Sequence, residues 1–356
     1  MSMSSRERVM MAFVHEEPDR VPSWCGSSPE FWSKARQALG LDDEGLRRRF
    51  GDDFRRVWAR YAGPPECSPD RGLAPGATYR SPFGVERHGY GYGQPMAHPL
   101  AGATVQQVHD YPWPDPAWMD ASHVRDEALD WKRQYAVLGG DWSPFWHDAI
   151  DLMGMENLYI AMFDAPETVD ALLGHVVGYY AEVSRRIFDA ASDALDIFFI
   201  GNDFGGQQGP LVGPSQFERF MLPHLRRLID LGHAYGLKVQ MHCCGGFEPL
   251  IPLLIASGLD GLHAVQPSCV GMDLAGLKHK YGSRILFNGA VDSHHVLMDG
   301  TPATIRESVR DVLRIMGPGG GYVAGASHDY ILEETPVENV VAMFDAVQEF
   351  GAYPIR

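Results

Sequence analysis

From about residue 135 onward, short apolar runs alternate with amphipathic stretches. The runs at 135–138, 196–200, 238–241, 261–264, 285–287 and 321–323 have the length and continuity of strands buried on both faces. Between them, 214–235, 247–257, 273–281 and 304–316 carry apolar residues at three-to-four spacing, as in Leu222, Leu225, Leu228 and Ile229, and predict helices. Strand–helix units in series imply a parallel sheet with right-handed crossovers. So long a series favours a closed (β/α)8 TIM barrel over an open doubly wound sheet. No Gly-x-Gly-x-x-Gly follows any of these strands, so dinucleotide binding has no support.

The first third is irregular. A short helix around 6–14 is broken by the prolines of Glu17-Pro18-Asp19-Arg20-Val21-Pro22, ahead of a short strand near 21–24. The Pro/Gly-rich stretch 63–114, with Tyr79-Arg80-Ser81-Pro82-Phe83-Gly84-Val85, predicts hairpins and loops, a candidate lid over the barrel mouth. Residues 1–134 are therefore expected to hold N-terminal elaborations and the first barrel units, and 135–356 the regular ones, all in one domain. A chain of 356 residues suits an elaborated barrel of that kind.

Charge and cysteine content narrow the partners. The net charge of −16 opposes nucleic acid and anionic membrane surfaces as partners, and says little about the substrate, since a basic pocket can sit inside an acidic shell. No apolar run reaches the roughly 18–20 residues of a membrane helix, and residues 1–8 lack the apolar core of a secretory signal. Five cysteines, odd and sparse, do not form an extracellular disulfide framework. A cytoplasmic, reduced protein is expected.

In such barrels the active site lies at the C-terminal strand ends. Those ends here deliver Gly139-Gly140-Asp141-Trp142, Gly201-Asn202-Asp203 with Gln207, His242-Cys243-Cys244-Gly245-Gly246, Gln266-Pro267, Asn288-Gly289-Ala290-Val291-Asp292 and Gly325-Ala326-Ser327-His328-Asp329. Leaving a strand, residues two apart share a side, so His242 and Cys244 can converge on one ion while Cys243 turns away. Imidazole and thiolate are a zinc ligand pair, and a catalytic zinc needs a third protein ligand. His328, Cys269 and Asp203 are the candidates, His328 first because it ends a barrel strand. Asp203 can orient substrate, transfer a proton or ligate metal. Asn202, Gln207, Gln266, Asn288 and Asp292 are candidate substrate contacts, although Asp292 also suits a helix cap. Trp142, Phe145 and Trp146 form an aromatic cluster suited to an apolar or aromatic substrate. His294-His295 reads as surface, and His233 and His263 as packing.

Taken in order, these motifs resemble the uroporphyrinogen decarboxylase superfamily. The resemblance begins with Arg6-Glu7-Arg8, Asp19-Arg20-Val21-Pro22 and Ser81-Pro82-Phe83-Gly84. It is densest from Gly201-Asn202-Asp203 through His242-Cys243-Cys244-Gly245 to Asn288-Gly289-Ala290-Val291-Asp292, and it continues in 317–322 and Thr335-Pro336-Val337-Glu338-Asn339. It implies the barrel and makes a homodimer an expectation. True decarboxylases of this superfamily use no cofactor and grip a multiply carboxylated tetrapyrrole with an Arg-Gln-Ala-Gly-Arg motif. The equivalent stretch here is Trp24-Cys25-Gly26-Ser27-Ser28, without the basic clamp. The other branch holds zinc methyltransferases that work with corrinoid proteins and carry a His-x-Cys motif, which His242 and Cys244 match. Some of its members place a third, cysteine ligand in a Pro-Gly-Cys-Gly turn, where this chain reads Gly325-Ala326-Ser327-His328.

The expectation is a zinc-dependent methyltransferase (demethylase) that moves a methyl group from a methoxylated or methylamine-like small molecule to a corrinoid protein. Asp203 and His242 are its catalytic residues, and His242, Cys244 and His328 its metal ligands. The alternatives are a cofactor-free decarboxylase of a carboxylated substrate and a non-catalytic ligand-binding barrel.

Overall fold

The computed structural model describes residues 3–68, 73–91 and 93–355. Seven strands form one parallel sheet, in chain order: β1 (Phe54–Arg56), β2 (Ala136–Gly139), β3 (Ile197–Gly201), β4 (Lys238–His242), β5 (Gly261–Val265), β6 (Leu286–Val291) and β7 (Tyr322–Ala326). The segment around Ser23 closes the cylinder. Ser23 bridges in parallel to Asp52 on one side and to Ala324 on the other. Trp24 N donates to Ala324 O at 2.9 Å, and Asp53 N to Ser23 O at 3.0 Å. The fold is thus the expected (β/α)8 barrel, with its eighth stave contributed from the N-terminal side of β1.

Six of the seven strands follow the apolar runs within a residue or a few. β1 does not announce itself, because Phe54-Arg55-Arg56 is short and two-thirds basic. Its arginines are tolerated because Arg55 is spent on Glu44 and on backbone carbonyls, while Arg56 faces the barrel mouth. The predicted helix at 214–235 is continuous but contains a π turn at Phe217–Met221.

Two apolar layers follow from the strand alternation. One lies between sheet and helices. The other fills the cylinder with Trp24, Phe54, Ala136, Leu138, Ile197, Phe199, Leu286 and Val323. Helix α1 (Ser5–Phe13), started by a reciprocal Ser4–Glu7 capping box, adds Val9, Ala12 and Phe13 to that interior cluster and so plugs one end. α1 is anchored by charge: the fully buried Asp53 accepts from Arg8 at 2.7 Å, from Arg20 twice at 3.0 Å and from Ser23 N at 2.8 Å.

Within 63–114, Leu73–Arg80 and Glu86–Gly91 pair as an antiparallel hairpin. Residues 69–72 and 92 lie outside the described residues. No helix of the described residues is long and apolar enough to cross a membrane.

Candidate active site at the barrel mouth

The loops after β3 and β4 are joined backbone to backbone. Gly206 bridges Gly246, whose N–H donates to Gly206 O at 2.8 Å, and Phe204 N donates to Cys243 Sγ at 3.4 Å. Cys243 therefore points into the core, as its place in the motif implies. A Cβ on Gly205 would lie 2.5 Å from Cys244 O, and one on Gly245, whose φ is +86°, 2.4 Å from Gly205 C. Glycine at both positions is what lets the loops touch.

That contact brings Asp203 to Cys244. Asp203 Oδ1 accepts from Cys244 N at 2.8 Å and lies 3.4 Å from His242 Nε2. His242 Nε2 is 3.1 Å from Cys244 Sγ. The ligand atoms of Asp203, His242 and Cys244 all lie within 4.8 Å of one another. His328 stands near Cys244, with its Nδ1 3.1 Å from Tyr330 O, but is not one of the three donors that converge. Two histidines that the sequence did not mark as functional complete the cluster. His147, on α2 (Phe145–Met153), meets Asp203 Oδ2 at 3.1 Å, and His263 of β5 faces His242 across 3.1 Å between their Nδ1 atoms. Asp329 stands 3.9 Å from His263.

The electrostatics are those of a paired set of charges. Burial raises the Asp203 carboxyl, but hydrogen bonds from His147 and His242 outweigh it and hold the group well below the usual carboxylate range. Burial likewise disfavours the His242 cation, yet Cys244, Asp329 and Asp203 raise its pKa well above that of free imidazole. Burial raises the Cys244 thiol, and His242 and His328 more than reverse this, so its pKa falls. His263 is held neutral, first by burial and then by the neighbouring His242 charge. The thiol is thereby biased toward thiolate, the form that binds metals and attacks electrophiles.

Beside the cluster lies a cavity of about 870 Å³ lined by Trp24, Arg56, Trp58, Trp142, Tyr179 and Asp329, among others. Asp203, His242 and Cys244 do not line it; Trp142 and Asp329 are the shared wall. The Trp142 ring lies 5.6 Å from the His242 ring, tilted by 31°, and edge-on to Phe199 at 5.1 Å. It fits there because Gly201 carries no side chain: a Cβ would sit 2.0 Å from the indole. Gly201→Ala is expected to displace Trp142, cost about 1–3 kcal/mol by overpacking, and shift the tryptophan emission. An unchanged spectrum and midpoint would mean that the indole is not seated against this strand end.

The remaining predicted contacts divide. Asn202 is fully buried and spent: it accepts from Trp146 N at 2.9 Å and donates to Ser143 O at 3.1 Å, capping α2 from another loop. Gln266 accepts from Gly245 N and Cys269 Sγ, so it braces the metal-type loop. Asp292 caps its own helix through His294 N and His295 N, both at 2.9 Å, and those two histidines are exposed. Gln207 is exposed. Phe145 and Trp146 are packed inside and do not line the cavity. Asn288 is fully buried in the barrel, and among the described residues neither its Oδ1 nor its Nδ2 has a partner.

Comparison with known proteins follows the same lines. The family model described as Uroporphyrinogen decarboxylase (URO-D) matches residues 101–350. A uroporphyrinogen decarboxylase of Actinobacillus succinogenes is 25% identical over 99% of both chains. One from Pseudoalteromonas translucida is 23% identical over 53% of this chain, and that match spans 51% of its own length. Among solved structures, a methyltransferase from Methanosarcina mazei superposes with a TM-score of 0.67 over 98% of this chain and 99% of that one, at 18% identity. At that identity the likeness is one of fold.

Proposed function

The chain belongs to the uroporphyrinogen decarboxylase family, and from that premise we propose that it is a zinc-dependent methyltransferase acting on a methoxylated or methylamine-like small molecule, with a corrinoid on a partner protein as methyl acceptor. The observation that carries this is the convergence of one nitrogen, one sulfur and one oxygen donor from His242, Cys244 and Asp203 within 4.8 Å. Ligands roughly 2.0–2.3 Å from a tetrahedral zinc sit roughly 3.3–3.8 Å apart. The separations of 3.1 Å and 3.4 Å around His242 Nε2 are close to that spacing. The donor set therefore fits zinc, held by His242 and Cys244 with Asp203 as third ligand; His328, near Cys244, is the other candidate. His263 behind Nδ1 is placed to fix the His242 ring, as partners of ligating histidines do.

When bound, zinc supplies Lewis acidity at the heteroatom that carries the methyl group. The chain's residues do the rest. Asp203, held ionised by its donors, orients the cluster rather than giving up a proton. Trp142 separates it from the cavity, which shelters the apolar part of the substrate. The stretch Trp24-Cys25-Gly26-Ser27 lines that cavity and brings no cation to it, which disfavours a multiply carboxylated tetrapyrrole.

A second reading, cofactor-free decarboxylation, draws on the names of the relatives. Asp203 would then stabilise a cationic intermediate, and carbon dioxide release without corrinoid would select it. The deciding measurement is metal content. Wild type is expected to hold about one zinc per chain and both His242→Ala and Cys244→Ser to lose it. A wild type that stays metal-free after zinc is supplied would end the methyltransferase reading.

A further inference from the structure

We infer that Arg56 is the anion-recognition residue of the cavity, and that the ligand it selects is a flat ring bearing one carboxylate. The inference takes the cavity as the substrate site, as proposed above, and adds the chemical class of what enters it.

Arg56 is the last residue of β1, at the strand end that opens on the barrel mouth, and it lines the cavity. The other arginines of that wall are committed: Arg47 to Asp52 at 2.8 Å, and Arg55 to Glu44 at 2.9 and 3.0 Å. Arg56 is not. Its Nε is buried without a partner among the described residues, and its one hydrogen bond is a long 3.4 Å contact from Nη2 to Phe199 O. Asp329 and Asp141 act on it through space. Burial lowers its pKa only to about 10, so the guanidinium keeps its charge at neutral pH.

A half-buried cation with open donors loses hydration that, among the described residues, only the long contact to Phe199 O and the neighbouring ring faces offset. A planar carboxylate restores it, because the guanidinium fork matches its two oxygens. The walls set the rest of the ligand. Arg56 lies 3.6 Å from the Trp58 ring centroid and 5.1 Å from that of Trp142, and Trp24 and Tyr179 complete an aromatic enclosure. Indole faces favour flat, polarisable groups over aliphatic ones. Trp142 touches both Arg56 and His242, so two ring contacts span the distance from the anion end to the cluster. A substituted benzene ring lying against these faces keeps its carboxylate on Arg56 and ends at the Trp142 wall, on whose other side His242 lies.

The test is titration calorimetry on zinc-free full-length protein with 4-methoxybenzoate, its neutral isostere 4-methoxybenzamide, and cyclohexanecarboxylate. Wild type is expected to bind the aromatic acid at least about 10-fold more tightly than either comparator, the size of a charge-assisted pair. Arg56→Met should abolish the preference of acid over amide, and Arg56→Lys should retain part of it. Equal binding of acid and amide by wild type overturns the inference without need of any variant, as does a preference that survives in Arg56→Met. Because the readout is binding, its outcome does not depend on methyl transfer. Selective binding without demethylation would retire the proposed reaction and leave Arg56 in its role. Demethylation of a neutral ether with no preference for the acid would do the reverse.

Discussion

Asp53→Ala is expected to lower the free energy of unfolding by about 3–5 kcal/mol, the range for breaking a buried ion pair from one side. Asp53 is fully buried and is the common acceptor for Arg8, Arg20 and Ser23 N, and Arg8 is itself only 6% exposed. Removing the carboxylate leaves Arg8, among the described residues, only Asp19 and Met3 O as partners and leaves Arg20 only the Val21 carbonyl, with Asp53 lost to both. It also frees the segment that carries the eighth stave. Urea denaturation should show the loss, with Asp345→Ala as comparison. Asp345 pairs with Arg49 at a site where both side chains are more than a third exposed, and the expected cost there is about 0–1 kcal/mol. Equal losses in the two variants would show that the Asp53 cluster does not anchor the N-terminal closure.

Asp203→Asn is expected to weaken zinc binding about 10–100-fold, the effect typical of removing a group that ligates or orients a ligand. Asparagine preserves the shape, and its carbonyl oxygen can still accept from Cys244 N. It cannot serve His147 and His242 together, since one face now presents an amide N–H. Affinity can be read by competition with a chromophoric chelator, with circular dichroism to verify the fold. Wild-type affinity in this variant would reduce Asp203 to a loop brace. The same measurement on His328→Ala separates the two candidates for third ligand, since only the variant lacking a true ligand should release the metal readily.

The regular part of the barrel was legible because its strands are buried on both faces and so become continuous apolar runs, as in Ile197-Phe198-Phe199-Ile200. His242, Cys244 and Asp203 were legible because each directly follows such a run. Other members of the cluster were not. His147 reaches Asp203 from a helix whose pattern only says "amphipathic", and it is aimed by Asn202, a residue that looks like a substrate contact until its two bonds are traced. His263 sits inside an apolar strand, where a histidine reads as packing, and its neighbour across the sheet is set by the register of β4 against β5. Arg56 lies in a strand too short and too charged to show a period. Spacing along the chain carries what one element presents, whereas these residues matter through what another element brings opposite them.

The closure at Ser23 has a consequence for how the protein is made. Its two neighbours in the cylinder are Asp52, close in the chain, and Ala324, near the far end of the described residues. During synthesis the Ser23 stave therefore emerges before the seven strands of the sheet, but its outer edge has nothing to pair with until β7 has left the ribosome. Until then the nascent chain carries an open sheet whose inner face displays Trp24, Phe54 and Phe199, and whose loose edges invite pairing with other chains. The protein is most prone to aggregate in the interval just before β7 emerges.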